Sequence, residues 1–525
     1  MTKAPSQDRD LTSVGSCSWS RGDRLALVAI IVLAFGSLFW LVHPWYDPVT
    51  DASVYLLSAR AMAAGEGYAY LGEPFYLRAP GVSALVSPFV SATEIDFHAV
   101  NLLTSTFGAA CVVLFFLFQR PRLGWPLALA CALLLWSLPG FHRLGNQTLS
   151  DVPGASLLLG CLIVERWSAR SSSLSRQLLL GICIGVSTYV RAGLVLLLPA
   201  IFLGRLVQRW SRRGTEEAEA PSLLPATFAF IGAAMLVMAP WAVRNAGLER
   251  SLEPVDQTLQ YDQSTLILHE RYADPSSPLN SPDVYPARMQ ARAGEVLSAL
   301  GNLKFVKDGR RDSAGALTYA IGGILLGCLL LAFLRRREPG EFFIGGSLLA
   351  ISVFPTPFLD RYALPVFLFA LPAFLELFRG ALRRLGGRRF ATPATLVLTV
   401  ALALLAFAPR EGWGEIETAH RSRVESSAAL RERLPPDSLL AAPRGWHHLS
   451  LFLNRPVYSL LFAVRDKGPA AGLESILDSY GVNTVVITAP SPVGDTLDAM
   501  LSRMGAPRVK VPGSPEPWQV IRVRP

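Results

Sequence analysis

Eleven apolar blocks in one chain constrain its fold more than any other feature. They are Leu25–Val42, Val100–Phe118, Leu123–Leu138, Val152–Val164, Leu178–Val190, Ala192–Val207, Leu223–Ala242, Ala316–Leu334, Phe342–Phe354, Tyr362–Phe378 and Ala391–Ala408. A helix crossing the hydrocarbon core of a bilayer needs about 20 apolar residues. Most of these blocks approach that length. Val152–Val164, Leu178–Val190 and Phe342–Phe354 are shorter, and either extend into flanking polar residues or re-enter the membrane. The sequence therefore predicts a mainly α, polytopic membrane helix bundle of about 11 spans. Only 17% of the 525 residues are charged, against about 25% in soluble domains. Leu25–Val42 follows Arg21 and Arg24, is long for a signal-peptide core and lacks a small-x-small cleavage site, so it reads as a retained signal anchor.

Basic residues set the orientation. With the N-terminus inside, the inner segments hold Lys3, Arg9, Arg21 and Arg24; Arg120 and Arg122; Arg166, Arg170 and Arg176; Arg205, Arg209, Arg212 and Arg213; Arg335–Arg337; and Arg379, Arg383, Arg384, Arg388 and Arg389. The short outer loops hold only Arg143, Arg191 and Arg361. An N-in, C-out path follows, with a tail at 1–24, a membrane domain at 25–408 whose outer loops are 43–99 and 244–315, and an outer C-terminal unit at 409–525. In that unit Ser438–Ala442 and Thr484–Thr488 read as short buried strands and Leu473–Tyr480 as a helix, which predicts a small α/β domain. No internal repeat is visible, and low complexity is confined to stretches such as Thr215–Ala220.

The net charge of +9 is used by these topology clusters, so the sequence points to no nucleic-acid partner. The cysteines, Cys17, Cys111, Cys131, Cys161, Cys183 and Cys328, lie in apolar blocks except for the first, and show neither disulfide nor metal spacing.

The first outer loop carries Asp47 before Pro48, then Asp51 at the start of a helical pattern with Val54, Leu57 and Ala61 on one face, ending at Gly65. It reads as an interfacial helix lying on the outer membrane surface, with Tyr55 one turn after Asp51. Asp at a helix start also serves as a cap, so residue type alone leaves Asp51 with two readings. Asp47 reads as a turn residue and His142 as a solvated loop residue. Tyr55 and Tyr68 read as headgroup-level anchors or as substrate contacts. Asp151, before Val152-Pro153, reads as a helix cap or as a second acid. Arg361 beside Asp360 suggests a local ion pair. His447-His448, taken as lying on a strand, would point to opposite faces and hold no common ion. Asn146-Gln147-Thr148 is a weak glycosylation sequon.

The string Asp51-x-x-x-Tyr55, Ala59, Ala63, Gly65, Gly67-Tyr68 and Arg78-Ala79-Pro80-Gly81 resembles the first outer loop of bacterial GT-C glycosyltransferases, relatives of protein O-mannosyltransferases and the lipid A aminoarabinose transferase. Ser150-Asp151-Val152-Pro153, Pro240-Trp241-Ala242-Val243-Arg244-Asn245, Asp360-Arg361-Tyr362-Ala363-Leu364-Pro365, Leu434-Pro435-Pro436-Asp437 and Asn454-Arg455-Pro456 extend the likeness over nearly the whole chain. The resemblance implies an enzyme of the bacterial inner membrane, active on its outer face. It would transfer a sugar from a polyprenyl-phosphate donor to a glycan, lipid or protein acceptor. It makes Asp51 the catalytic acid, although Ala52 stands where family members often carry a second one. Arg191, Arg244 and Arg361 are candidates for the lipid phosphate, Asp151 for positioning the acceptor, and Tyr55, Arg78 and Tyr362 for substrate contact. No cofactor is required; a divalent metal stays open. A lipid-linked sugar flippase commonly shows internal repeats and broken midplane helices, and a non-catalytic glycan-assembly protein on the same scaffold is the third reading.

Overall fold

The computed structural model describes residues 19–47, 50–171, 173–211, 223–248, 267–270, 277–302, 315–353, 360–407, 410, 412–435, 437–443, 446–460, 468–480, 482–487, 492–503, 508–511 and 518–522. Cys17, the Thr215–Ala220 stretch and half of the loop expected at 244–315 lie outside them.

Every apolar block is mainly helical over its described residues. The chain runs α1 (Arg21–Gly36), α2 (Leu38–Leu41), α3 (Thr50–Ala63), β1 (Ala69–Tyr70), β2 (Glu73–Pro74), α4 (Gly81–Val86), α5 (Phe97–Leu123), α6 (Trp125–Ser137), α7 (Pro139–Gly145), α8 (Asp151–Ser168), α9 (Leu174–Val190), α10 (Leu197–Ser211) and α11 (Leu223–Ala246). It continues through α12 (Val284–Gly301), α13 (Ala316–Arg336), α14 (Pro339–Val353), α15 (Ala363–Gly386), α16 (Arg388–Ala406) and α17 (Trp413–Arg433). Among the described residues six helical stretches are long and apolar enough to cross a membrane: Arg21–Leu41, Phe97–Leu123, Ala192–Ser211, Leu223–Ala246, Ala316–Arg336 and Ala363–Leu385. A seventh candidate is the pair α6 and α7, bent by 68° at its break. Leu174–Val190, Pro339–Val353 and Arg389–Leu404 are apolar but shorter.

Close helix approach depends on residues without side chains. A Cβ on Gly181 of α9 would lie 2.2 Å from the Phe230 carbonyl oxygen of α11, and one on Gly185 2.7 Å from Val237. Small residues at such contacts let backbones meet, which matters where lipid removes the hydrophobic drive for association. Gly387, at φ +83°, turns the chain from α15 into α16. At the end of the bundle where the expectation places the cytoplasm, Glu338 pairs with Arg122 and Arg166, Arg336 with Glu376, and Arg205 with Glu165, so that ion pairs involve five helices and the turn before α14.

After α17 come β3 (Leu440–Ala442), α18 (Trp446–Leu453), β4 (Val457–Ser459), α19 (Pro469–Tyr480), β5 (Thr484–Ile487), α20 (Pro492–Arg503), β6 (Arg508–Val511) and β7 (Trp518–Arg522). The sheet order is β4-β3-β5-β7-β6, with β4, β3 and β5 parallel and β7 and β6 antiparallel to their neighbours. Both expected strands are present as β3 and β5. One expectation fails here: His447 and His448 lie on α18, not on a strand. Segment 446–453 is a short apolar run, which periodicity alone does not assign.

Helix α3 also departs from expectation. Val54 and Leu57 are buried as foreseen, but Ala52, Ser53, Leu56 and Ala59 on the other face are buried too. Small side chains let α18 pack against that face, so α3 lies within protein instead of on a lipid surface.

Candidate active site

Asp51 occupies the first turn of α3, where the helix dipole favours an anion. Its Oδ1 accepts from Arg78 Nη2 at 2.7 Å, and its Oδ2 accepts from Arg361 Nη2. The second Arg361 nitrogen, Nη1, lies 3.6 Å from Asp151 Oδ2, and Asp151 Oδ1 accepts from Arg191 Nη1 at 2.8 Å. The result is a continuous row of alternating charge: Arg78, Asp51, Arg361, Asp151, Arg191. Its Asp151 end is closed, at 3% side-chain exposure, and its Asp51 end is a quarter exposed.

Four of the five members are placed by the end of a helix, and Arg78 lies in the segment between β2 and α4. Asp151 opens α8. Arg191 follows α9, where the backbone becomes extended at φ −144°. Its side chain runs against α8 over Gly154, where a Cβ would come within 2.5 Å of Arg191 Cδ. Arg361 lies in a one-turn 3-10 segment, Asp360–Tyr362, that leads into α15. Aromatic rings support two of the cations: Tyr55 lies 5.2 Å from the Arg78 guanidinium and Tyr362 5.3 Å from that of Arg361. Tyr55 itself packs on Val82 and Val190.

Burial disfavours the Asp51 carboxylate, but the charges of Arg78 and then Arg361 outweigh it and hold the carboxyl well below its ordinary range. Burial likewise opposes the charge on Arg361, yet Asp151 and then Asp51 raise its proton affinity above the ordinary guanidinium value. Three guanidinium groups and two carboxylates sum to one positive charge. Such a row is suited to receive a phosphate, whose oxygens match the guanidinium fork.

Seven of the eight sequence candidates meet here: Asp51, Tyr55, Arg78, Asp151, Arg191, Arg361 and Tyr362. Arg244 does not. It donates to the carbonyls of Phe75 and Tyr68, each at 2.8 Å, between the rings of Tyr68 and Trp241, and so clamps the β1–β2 hairpin leading to Arg78. Two bland readings are also corrected. Asp47 is a buried anchor that accepts from Arg143 Nε at 2.8 Å and from Gln147 Nε2, tying the outer segment to α7. His142 is buried against the Trp136 carbonyl and is not solvated. Arg361 is engaged by Asp51 and Asp151; the Asp360 side chain lies outside the described residues.

Sequence reading missed Tyr46, Ser53, Tyr70, His447 and His448. Tyr46 Oη and Ser53 Oγ contact His448 Nδ1 at 2.9 and 2.8 Å, and Tyr70 Oη contacts His447 Nδ1. No local signal joins residues some 400 positions apart. Among the described residues no group of three or more His, Cys, Asp or Glu is placed to hold a metal ion.

No family model and no curated protein matches the chain. Solved structures do. The crystal structure of ArnT from Cupriavidus metallidurans in the apo state is 14% identical at a TM-score of 0.56, covering 94% of this chain and 97% of ArnT. The same ArnT bound to undecaprenyl phosphate is 15% identical at 0.56, covering 95% and 98%. AglB from Archaeoglobus fulgidus, in complex with an inhibitory peptide and a dolichol-phosphate, is 12% identical at 0.49, covering 89% of this chain and 70% of AglB. ArnT, a lipid A aminoarabinose transferase, has the GT-C architecture, and this chain shares that fold over nearly its full length.

Proposed function

We propose that this chain is a GT-C-type membrane glycosyltransferase that moves a sugar from a polyprenyl-phosphate donor to an extracytoplasmic glycan, lipid or protein. The observation that carries the proposal is the Arg78–Asp51–Arg361–Asp151–Arg191 row, built from four helix ends on a scaffold shared with a protein crystallised with undecaprenyl phosphate. In this reading the eleven helical blocks span a bacterial inner membrane from an inner N-terminus, and residues 409–525 lie outside.

The donor phosphate enters between Arg78 and Arg361 and takes over guanidinium contacts that Asp51 makes in the free protein. Asp51 then loses the two cations that keep its proton affinity low and gains a neighbouring anion. Both changes raise its pKa and make it a better base. The acceptor oxygen forms a bond to the anomeric carbon as that carbon's bond to the phosphate oxygen breaks, and the acceptor proton passes to Asp51. The bonding electrons leave on the phosphate, which changes from a monoanionic diester toward a dianionic monoester. Arg361, Arg78 and Arg191 stabilise that developing charge. Asp151 holds Arg361 and Arg191 in place.

The test uses the full chain in lipid nanodiscs, a panel of radiolabelled polyprenyl-phosphate sugars, and an envelope lipid and glycan extract as acceptor. Wild type should transfer label, and Asp51→Asn should lose about 10²- to 10⁴-fold in rate, the usual worth of a positioned base. Near-normal turnover in Asp51→Asn removes that residue from the mechanism. Movement of labelled carrier across vesicles without transfer favours the flippase instead.

A further inference from the structure

We propose that His447 and His448 are positioning residues that fix the helix carrying Asp51, so that the C-terminal unit sets the geometry of the reaction centre. The inference rests on the reading of Asp51 as the base.

Helix α18 is gripped at both ends. At its start, His448 meets Ser53, two residues after Asp51, and Tyr46, which in turn bonds Ser53. His447 meets Tyr70 of β1, in the hairpin preceding Arg78. At its end, Arg60 of α3 donates to the Leu451 carbonyl at 3.0 Å, and Arg431 of α17 to the Phe452 carbonyl at 2.6 Å. Cations there complement the free carbonyls of a helix C-terminus. Helix α18 therefore splints α3 along two turns, from Ser53 to Arg60.

Most polar parts of this contact are dry, while His448 itself is partly buried. Ser53 and Tyr70 are fully buried, and Tyr46 and His447 are 3% exposed. A dry side-chain network of this kind costs more to break than its pairwise bonds suggest, because each group left unpaired keeps its desolvation penalty. The pair is also held rigidly on the other side. Helix α18 follows β3 at the carboxyl end of the parallel strands, and Ser450 Oγ accepts from the Val457 backbone at 2.9 Å, fixing α18 to β4. The sheet thus serves as the fixed body, α18 as the rod, and α3 as the part held in place. Displacing Asp51 by about 1 Å is enough to cost on the order of 10²-fold in rate.

The experiment compares wild type, His448→Leu, Tyr46→Phe and His448→Asn in the full chain in nanodiscs. Asn keeps a polar acceptor near the Nδ1 position; Leu does not. Amide hydrogen exchange is read over 50–63 and 69–76, with 484–487 and 518–522 as the folded reference. Undecaprenyl phosphate binding is measured on the same samples, and kcat and KM on the donor sugar that turnover identifies. In His448→Leu, exchange should rise at least tenfold in 50–63 and remain unchanged in the sheet. Its kcat should fall on the order of 10²-fold with KM and undecaprenyl phosphate affinity within threefold. Tyr46→Phe should fall between, and His448→Asn should recover most of the loss. Unchanged exchange in 50–63 for both His448→Leu and Tyr46→Phe overturns the splint, whatever the activity. Raised exchange with unchanged kcat overturns the positioning role. Absence of transfer in wild type would refute the glycosyltransferase reading, and the exchange data would still decide whether α18 holds α3.

Discussion

Arg361 touches both carboxylates of the site, so its loss gives a sharp test of the charge row. Replacing it with Ala lowers the sum of the five charges from one positive to zero. The carboxylates do not become orphans: Asp51 keeps Arg78 at 2.7 Å and Asp151 keeps Arg191 at 2.8 Å. The fold should therefore survive, and the deficit should appear in catalysis. A second charge growing on a departing phosphate about 4 Å from a guanidinium gains about 4 kcal/mol at an effective dielectric constant of 20. Arg361 is 14% exposed, which places it in that regime and not in bulk water. Its charge is partly answered already by Asp51 and Asp151, so the realised gain is about 2 to 4 kcal/mol. At 1.36 kcal/mol per tenfold, Arg361→Ala should lower kcat/KM about 30- to 1,000-fold. Because the charge develops as the bond breaks, kcat should fall with it. Arg361→Lys keeps the charge but not the fork that spans two carboxylates, and should fall between. Transfer from a labelled polyprenyl-phosphate sugar gives the rates, and size-exclusion chromatography with undecaprenyl phosphate binding confirms folding. An Arg361→Ala protein within threefold of wild type in kcat/KM would refute the role given to the row.

Other substitutions probe the supports. Gly154→Ala places a methyl 2.5 Å from Arg191 Cδ and should push that side chain off Asp151. Transfer should drop about tenfold for a thermal destabilisation of about 1–3 kcal/mol; unchanged transfer would show that Arg191 is dispensable. Arg244→Ala removes two donors from hairpin carbonyls and should cost about 2–3 kcal/mol of stability, while its transfer stays within tenfold of wild type; a larger loss than in Arg361→Ala would return Arg244 to the phosphate site. The α18 contact should weaken in acid. His448 faces Tyr46, Ser53 and Arg423, and His447 faces Tyr70, His448, Arg78 and Asp51. Burial first, then the neighbouring cations, push His448 down to about 4 and His447 to about 3. Released into water, both would titrate near about 6.5. The undocked form therefore takes up protons first, so docking is at full strength above about pH 6.5 and is lost progressively as pH falls toward 4. Exchange in 50–63 measured from pH 7.5 to 4.5, corrected for intrinsic rates, should rise on the acid side; a flat corrected profile contradicts the contact.

What the sequence made legible follows the range of the forces involved. A block such as Leu223–Ala242 announces a helix by itself, because length and apolarity are local properties. Asp51 at the start of α3 and Gly65 two residues beyond its end were readable for the same reason, and Gly65 indeed takes φ +79°. Arg191 stood out as a charge interrupting an apolar run, where a charge needs a partner, and Arg361 as a charge at the outer end of a span. Their partners were not legible: Arg361 reaches Asp51 across 310 positions, and Arg78 reaches it across 27. Arg244 gives the same local signal as Arg361, an Arg at the outer end of an apolar block. What separates them is that Tyr68 and Phe75 turn their carbonyls toward Arg244, which is decided by the path of the hairpin and not by composition. Helix α3 was read as interfacial because only one apolar face shows; Ala52, Ser53 and Ala59 look neutral until α18 is laid against them.

Charge bookkeeping separates a functional from a purely structural reading of the site. Buried ion pairs that serve only to hold helices together should balance, since an uncompensated buried charge is expensive. The ion-paired side chains at the opposite end obey this rule: Arg120, Arg122, Arg166, Arg205 and Arg336 are met by Asp23, Glu165, Glu338, Glu341 and Glu376. The row from Arg78 to Arg191 does not, with three cations against two carboxylates and its open end at Asp51 and Arg78. A scaffold whose ion pairs balance five against five at one end and form an unequal set at the other has room at that second end for an anion. A lipid-linked phosphodiester carries the one negative charge that would complete it.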